Sequence, residues 1–184
     1  MAAGRENGGM VVSLVNRVPA RLATLFRQGG VLARVAAPVL ERVLPDHPRE
    51  IVVRGGRARG VRLVAELKRE KFYWTGGYES RVQDALAEEL RPGGSFWDVG
   101  AHLGFFTLLA SRLVGPEGKV HAFEPLPANR ARLETGISLN DATNVTLHPV
   151  ALAGRTGSAV LHSHGSTLMW SLLPNGDTGA LDVD

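Results

Sequence analysis

The chain of 184 residues contains no cysteine. Disulfides, thiolate metal sites and cysteine nucleophiles are therefore excluded together, which suits a reducing compartment, and the expected location is the cytoplasm. Long apolar runs are also missing. The most apolar stretch, Met10 to Leu44, is interrupted by Arg17, Arg21, Arg27, Arg34 and Arg42. It never approaches the ~20 uninterrupted apolar residues that span a bilayer. Met10–Val15 is too short for the apolar part of a signal peptide. No Gly-Lys-Ser/Thr follows a strand-like run, so a Walker-type phosphate loop is absent. Nor is any Lys/Arg run interleaved with aromatics, as a single-strand nucleic-acid binder needs.

What is present is the composition of a globular protein, 44% hydrophobic and 21% charged. That length can bury one good core but has little room for two. Sixteen of the 21 Lys and Arg lie in residues 1–95 with ten of the 18 Asp and Glu, so a +6 segment precedes a −3 segment. The asymmetry is read as solvated Arg on helix faces, and no nucleic-acid partner is expected.

Four stretches follow one another. Residues 1–50 read as an N-terminal helical cap with Leu14, Val18, Leu22 and Leu25 at helical spacing, about the first ten residues being disordered. Residues 51–95 read as a hairpin, Ile51–Val53 and Val61–Val64 around a Gly-rich turn, and a lead-in helix through Leu90 that places Val82, Ala85, Leu86 and Leu90 on one face. Residues 96–162 alternate strand and helix: strands at Ser95–Val99, Lys119–Phe123 and Val145–Val150, helices at Phe105–Val114 and Ala128–Leu139. This alternation predicts an α/β fold with a parallel sheet and right-handed crossovers. Trp97, in the first strand, is expected in the core. One further strand is expected at Ala159–His162, and residues 163–184 read as an irregular tail.

The chemistry concentrates where the first strand turns into the first helix, at Asp98-Val99-Gly100-Ala101-His102-Leu103-Gly104. Glycine has no Cβ to obstruct a ligand, and ligands of open α/β sheets sit outside the carboxyl ends of strands. Asp98 can accept a bond from a cationic amine, and Glu124, at the end of the second strand, can accept the hydroxyls of a ribose. A dinucleotide fingerprint, Gly-x-Gly-x-x-Gly, would place glycines where His102 and Phe105 stand, and both bulky side chains argue against a pyrophosphate. S-adenosylmethionine has a ribose and no phosphate, so it fits the acid without needing the missing glycines. His162-x-His164 lacks a third ligand and reads as a strand end, so no metal site is expected.

Phe96–Thr107, Gly115–Val120 and Ala122–Asn129 together resemble the FkbM-type S-adenosylmethionine-dependent methyltransferases. Gly77-Tyr78-Glu79 resembles that family's lead-in to the first strand, and Asn140, Asn144-Val145 and Val150–Leu152 its third-strand region. The resemblance implies a Rossmann-like class I methyltransferase sheet and methyl transfer to a hydroxyl of a sugar or secondary metabolite. It implies that Asp98, Gly100, Ala101, His102 and Gly104 line the methionine part of the cofactor, that Glu124 binds the ribose with Pro125 beside the adenine, and that Tyr78 and Glu79 close over the amino-acid end. His102 departs from the family's usual Asn, and an imidazole donating one hydrogen bond is expected there. The catalytic base is not identified. The family's later acidic motif and strands are not found after Leu161, so a C-terminally truncated domain is expected, inactive alone and able to self-associate through the open edge of its first strand. A non-catalytic remnant that packs against a partner is the alternative.

Overall fold

The computed structural model describes Asn16, residues 44–154, Gly157, 159–163, 170–171 and 180–183. The helices expected over 11–44 and the disorder expected before them lie outside the described residues, Asn16 apart.

A hairpin opens the described chain. Strands β1 (Arg49–Val52) and β2 (Arg62–Ala65) pair antiparallel, Ile51 opposite Leu63. The outer edge of β1 is closed by a side chain: Asn16 accepts from the Val52 N–H (3.0 Å) and donates to the Glu50 carbonyl (3.3 Å). Asn140 does the same to β2, accepting from the Arg62 N–H (3.0 Å) and donating to its carbonyl (2.7 Å). Amide side chains have the donor and acceptor geometry of a peptide group, so they stand in for a missing strand.

Two helices follow, α1 (Lys71–Thr75) and α2 (Ser80–Glu89). Leu86 and Leu90 of the expected apolar face of α2 pack against buried residues, but they are not what the helix buries most deeply. Val82 is 40% exposed, and the buried residue is Gln83. Its amide nitrogen donates to the carbonyls of Gly76 (3.1 Å) and Tyr78 (2.5 Å), while its oxygen accepts from the Arg57 N–H (2.9 Å). Three orphan backbone groups in adjoining turns are thus satisfied by one side chain, which outweighs burying a valine.

The sheet that positions the site is β3 (Ser95–Val99), β4 (Lys119–Phe123) and β5 (Val145–His148), parallel and in the order β3-β4-β5. Helices α3 (Phe105–Val114) and α4 (Pro127–Leu139) make the crossovers, with Pro127 at the first turn of α4, where a missing N–H is harmless. Both cover one face. Ala110 and Val114 of α3 meet Val120 and Phe96, and Leu133 of α4 meets Ala122 and Leu147. Side chains alternate along a strand, so Trp97 and Val99 point the other way. They are 60% and 59% exposed, which corrects the expectation that Trp97 is core. Trp97, His121, Phe123 and His148 pack ring to ring there, the His121 and His148 imidazoles 3.2 Å apart. Among the described residues β3 is an edge strand.

The tail expected to be irregular holds strands instead. β6 (Ala159–Ser163) pairs antiparallel with both β7 (Trp170–Ser171) and β8 (Ala180–Val183). Two to four residues are too few to show a period in sequence, and it is the pairing with β6 that orders them. Of the expected His162-x-His164 pair, His164 lies outside the described residues, and among those described no three potential ligands gather as a metal site.

Candidate functional site

The loop after β3 is held open by backbone bonds to the end of β4. The N–H groups of Gly100 and Ala101 both donate to the Phe123 carbonyl, at 2.9 and 3.0 Å. Gly100 has φ 80°, a left-handed conformation that a side chain disfavours. A Cβ built there would meet nothing within 4 Å, so the loop presents bare backbone to open space. Gly104, also left-handed at φ 88°, has the opposite surroundings, because its missing Cβ would lie 2.2 Å from Leu133 Cδ1. One glycine leaves room for a ligand, and the other lets α3 start against α4. Gly104→Ala should therefore lower stability by about 1–3 kcal/mol through overpacking, read as a lower urea midpoint at unchanged m-value.

Asp98 lies on the sheet face covered by α3 and is buried. One carboxylate oxygen accepts from the Thr107 hydroxyl at 2.5 Å. Burial pushes the Asp98 carboxyl above its ordinary value, the Thr107 bonds pull it back, and the nearby Glu124 charge adds to the rise. No cation pairs with Asp98 among the described residues.

Glu124, 4% exposed, is the hub. Oε2 accepts from the His102 N–H at 2.8 Å; Oε1 accepts from the Leu126 N–H at 2.9 Å and from Asn129 Nδ2 at 3.3 Å. The acid after β4 thereby ties the glycine loop to the entrance of α4. Pro125 is half-buried beside it, its carbonyl held by Arg130. A carboxylate offers about four acceptor positions, so Oε2 keeps one for a further donor.

Tyr78 and Glu79 come to the same place from the α1–α2 turn. The Tyr78 ring packs against Phe105 and Phe106 at the start of α3, centroids 5.6 and 5.5 Å away. Burial, followed by the neighbouring Glu79 charge, raises its hydroxyl above the ordinary phenol value. The structure thus gathers the residues singled out from sequence around the carboxyl ends of β3 and β4, where an open α/β sheet takes its ligand. It adds residues that the sequence did not mark: Tyr73, whose hydroxyl lies 3.3 Å from His102 Nδ1, and Thr107 and Asn129. Asn129 follows Glu124 by five residues at a helix start, a placement that could have suggested it. Tyr73 is twenty-nine positions from His102 and carries no such signal. Trp74 is buried in the core.

A search of curated proteins finds no match. Among solved structures, the chain is similar to P. horikoshii TYW2 in complex with MeSAdo, 19% identical over 70% of this chain and 50% of that one, with a TM-score of 0.48. It is also similar to the precorrin-6y C5,15-methyltransferase from Geobacter metallireducens GS-15, 26% identical over 39% of this chain and 38% of that one, with a TM-score of 0.35. The chain spans half or less of the length of these structures. Residues 98–180, beginning at Asp98 itself, match the model of the methyltransferase FkbM domain, and this segment is similar to that family of methyltransferases.

Proposed function

We propose that the loop from Asp98 to Gly104, with Glu124, binds S-adenosylmethionine and forms the cofactor half of an O-methyltransferase acting on a hydroxyl of a sugar or secondary metabolite. The observation that carries this reading is a buried carboxylate, Asp98, with no cation partner among the described residues, beside a glycine whose missing Cβ would meet none of the described residues within 4 Å. Burying a carboxylate is unfavourable unless something offsets it, and the ammonium at the amino-acid end of the cofactor would do so. Gly100 admits close approach, and the remaining acceptor position on Glu124 Oε2 suits a ribose hydroxyl. When bound, the cofactor supplies an electrophilic methyl group. The residues of this chain orient it, and positioning accounts for much of the acceleration in such transfers.

Titration calorimetry with S-adenosylhomocysteine tests the reading. Binding is expected, and no heat at millimolar ligand with the chain folded would sink it. Affinity should fall as pH drops through the Asp98 value, which lies above the ordinary 3.8, because protonation removes the charge that attracts the ammonium. The apo protein should show the opposite sign. A raised carboxyl contributes stability that is full below 3.8 and lost as pH rises through the folded value. Asp98→Asn should abolish both dependences, and Gly100→Ala should weaken binding more than folding.

A second reading, a non-catalytic domain that packs against a partner, is supported by the internal use of Glu124, which holds three donors of its own chain. The same titration separates the two.

A further inference from the structure

The sheet face that α3 and α4 leave uncovered carries two histidines that the proposed cofactor site does not use. In the parallel register of β4 and β5, Phe123 lies opposite His148 and His121 opposite Thr146. Side chains alternate along a strand, so His121, Phe123, Thr146 and His148 share the face of Trp97 and Val99. On it His121 Nδ1 and His148 Nε2 lie 3.2 Å apart. Packing holds both rings in that position. The His148 ring stacks on Phe123, centroids 4.5 Å apart and 13° from parallel, and the His121 ring packs against Trp97 at 5.7 Å. Ligand side chains locked by their neighbours are already close to a binding geometry.

Two imidazole nitrogens at this distance share one proton when nothing else is bound. The spacing also suits one ion. A tetrahedral cation with bonds of about 2.0–2.1 Å sets its ligands roughly 3.3–3.4 Å apart. To admit it, the bridging proton moves to the far nitrogen of its own ring. Those far nitrogens, His121 Nε2 and His148 Nδ1, make no hydrogen bond among the described residues, so none opposes the move. The approach is open as well: both rings are half-buried, Thr146 is exposed, and so are Trp97 and Val99. Imidazole also selects among cations. It suits zinc, copper and nickel, whereas calcium and magnesium take oxygen ligands.

We propose that His121 and His148 form a two-histidine chelate for a borderline divalent cation such as Zn²⁺, with water in the remaining positions. Two protein ligands are fewer than a structural or catalytic zinc site uses, so the cation is an exchangeable one. The site stands apart from the proposed function and does not rest on it. It departs from the expectation of no metal, which was drawn from His162-x-His164. His121 and His148 are twenty-seven positions apart, and only the strand register joins them. The Glu124 N–H, immediately after β4, bonds the His148 carbonyl at 3.1 Å. A cation held by both histidines therefore pins the carboxyl ends of β4 and β5 beside Glu124.

Titration calorimetry of the full chain with zinc chloride tests the proposal, with magnesium chloride as the control. Zinc should bind saturably below millimolar concentration, and magnesium should not. Even an outer-shell partner contributes about ten- to a hundredfold to metal affinity, so losing a ligand, in His121→Gln or His148→Gln, should weaken zinc at least about tenfold. His162→Gln should leave zinc binding unchanged. Both ligand substitutions fall on half-buried rings, and urea unfolding without metal checks that each variant folds. A measurement on the wild type alone keeps the test independent of the variants. Zinc should shift the ring-nitrogen NMR signals of two of the six histidines. Absence of saturable zinc binding, equal binding of magnesium, binding that both variants retain, or a shift spread over all six histidines would overturn the proposal.

Discussion

Arg132→Met should destabilise the protein by about 3–5 kcal/mol, the cost of leaving a buried charge without its partner. Arg132, on α4, bonds the Glu70 carboxylate, and the two side chains are 10% and 1% exposed. The guanidinium also donates from Nε to the Val64 carbonyl of β2 at 2.9 Å, and Glu70 accepts from the Glu66 N–H at 2.7 Å. The pair therefore ties three elements at one point: the hairpin, the turn entering α1, and α4. Methionine fills most of the volume but satisfies nothing. It strands Glu70, whose second oxygen already has no hydrogen-bond partner among the described residues. The control is Arg132→Met with Glu70→Gln. An uncharged amide can still accept from Glu66, and a buried polar group lacking a partner costs about 1–3 kcal/mol rather than the full charge penalty. The double variant should thus be more stable than the single one. Urea unfolding of the three proteins checks the order, and a double variant no better than Arg132→Met would show that the ion pair is not what holds α4.

Much of this architecture is legible in the sequence, and the misses share a physical cause. β3, α3, β4 and α4 were expected within a residue or so of where they lie, because the first three are short apolar runs between glycines or prolines and a proline opens α4. The glycine loop and Glu124 were legible for the same reason: topology puts strand ends together, so two local motifs suffice to define one site. Trp97 was misread because alternation along a strand shows two faces but not which one the helices will cover. The burial of Gln83 was not legible because a pattern of apolar residues cannot show an amide substituting for backbone partners. The Tyr73–His102 contact joins segments across the core, and nothing local to either residue announces it.

Glu124→Ala should cost stability and binding together, and by more than a ligand-only role would allow. The carboxylate accepts from the backbone N–H groups of His102 and Leu126 and from Asn129. Hydrogen bonds to a charged acceptor contribute about 1.5–3 kcal/mol each, and alanine leaves the buried donors unpaired. Losses at one hub do not add fully, so about 2–4 kcal/mol is expected, with S-adenosylhomocysteine affinity down at least about a hundredfold, or about 2.7 kcal/mol. Glu124→Gln sharpens the test. It keeps the size and one good acceptor, but its amide nitrogen must face a donor on one side, either His102 or Leu126 and Asn129. If the acid served only the ribose, glutamine would weaken binding and leave the unfolding midpoint alone. Because it also closes the loop, the midpoint should fall by roughly half the alanine effect, and the left-handed His102 should lose its anchor. Amide exchange at His102 reads that anchor without any ligand: its protection should drop in both variants while the strand amides of β4 keep theirs. Unchanged protection at His102 in Glu124→Gln would show that the loop holds its shape independently, and that the Glu124 carboxylate is kept for a ligand alone.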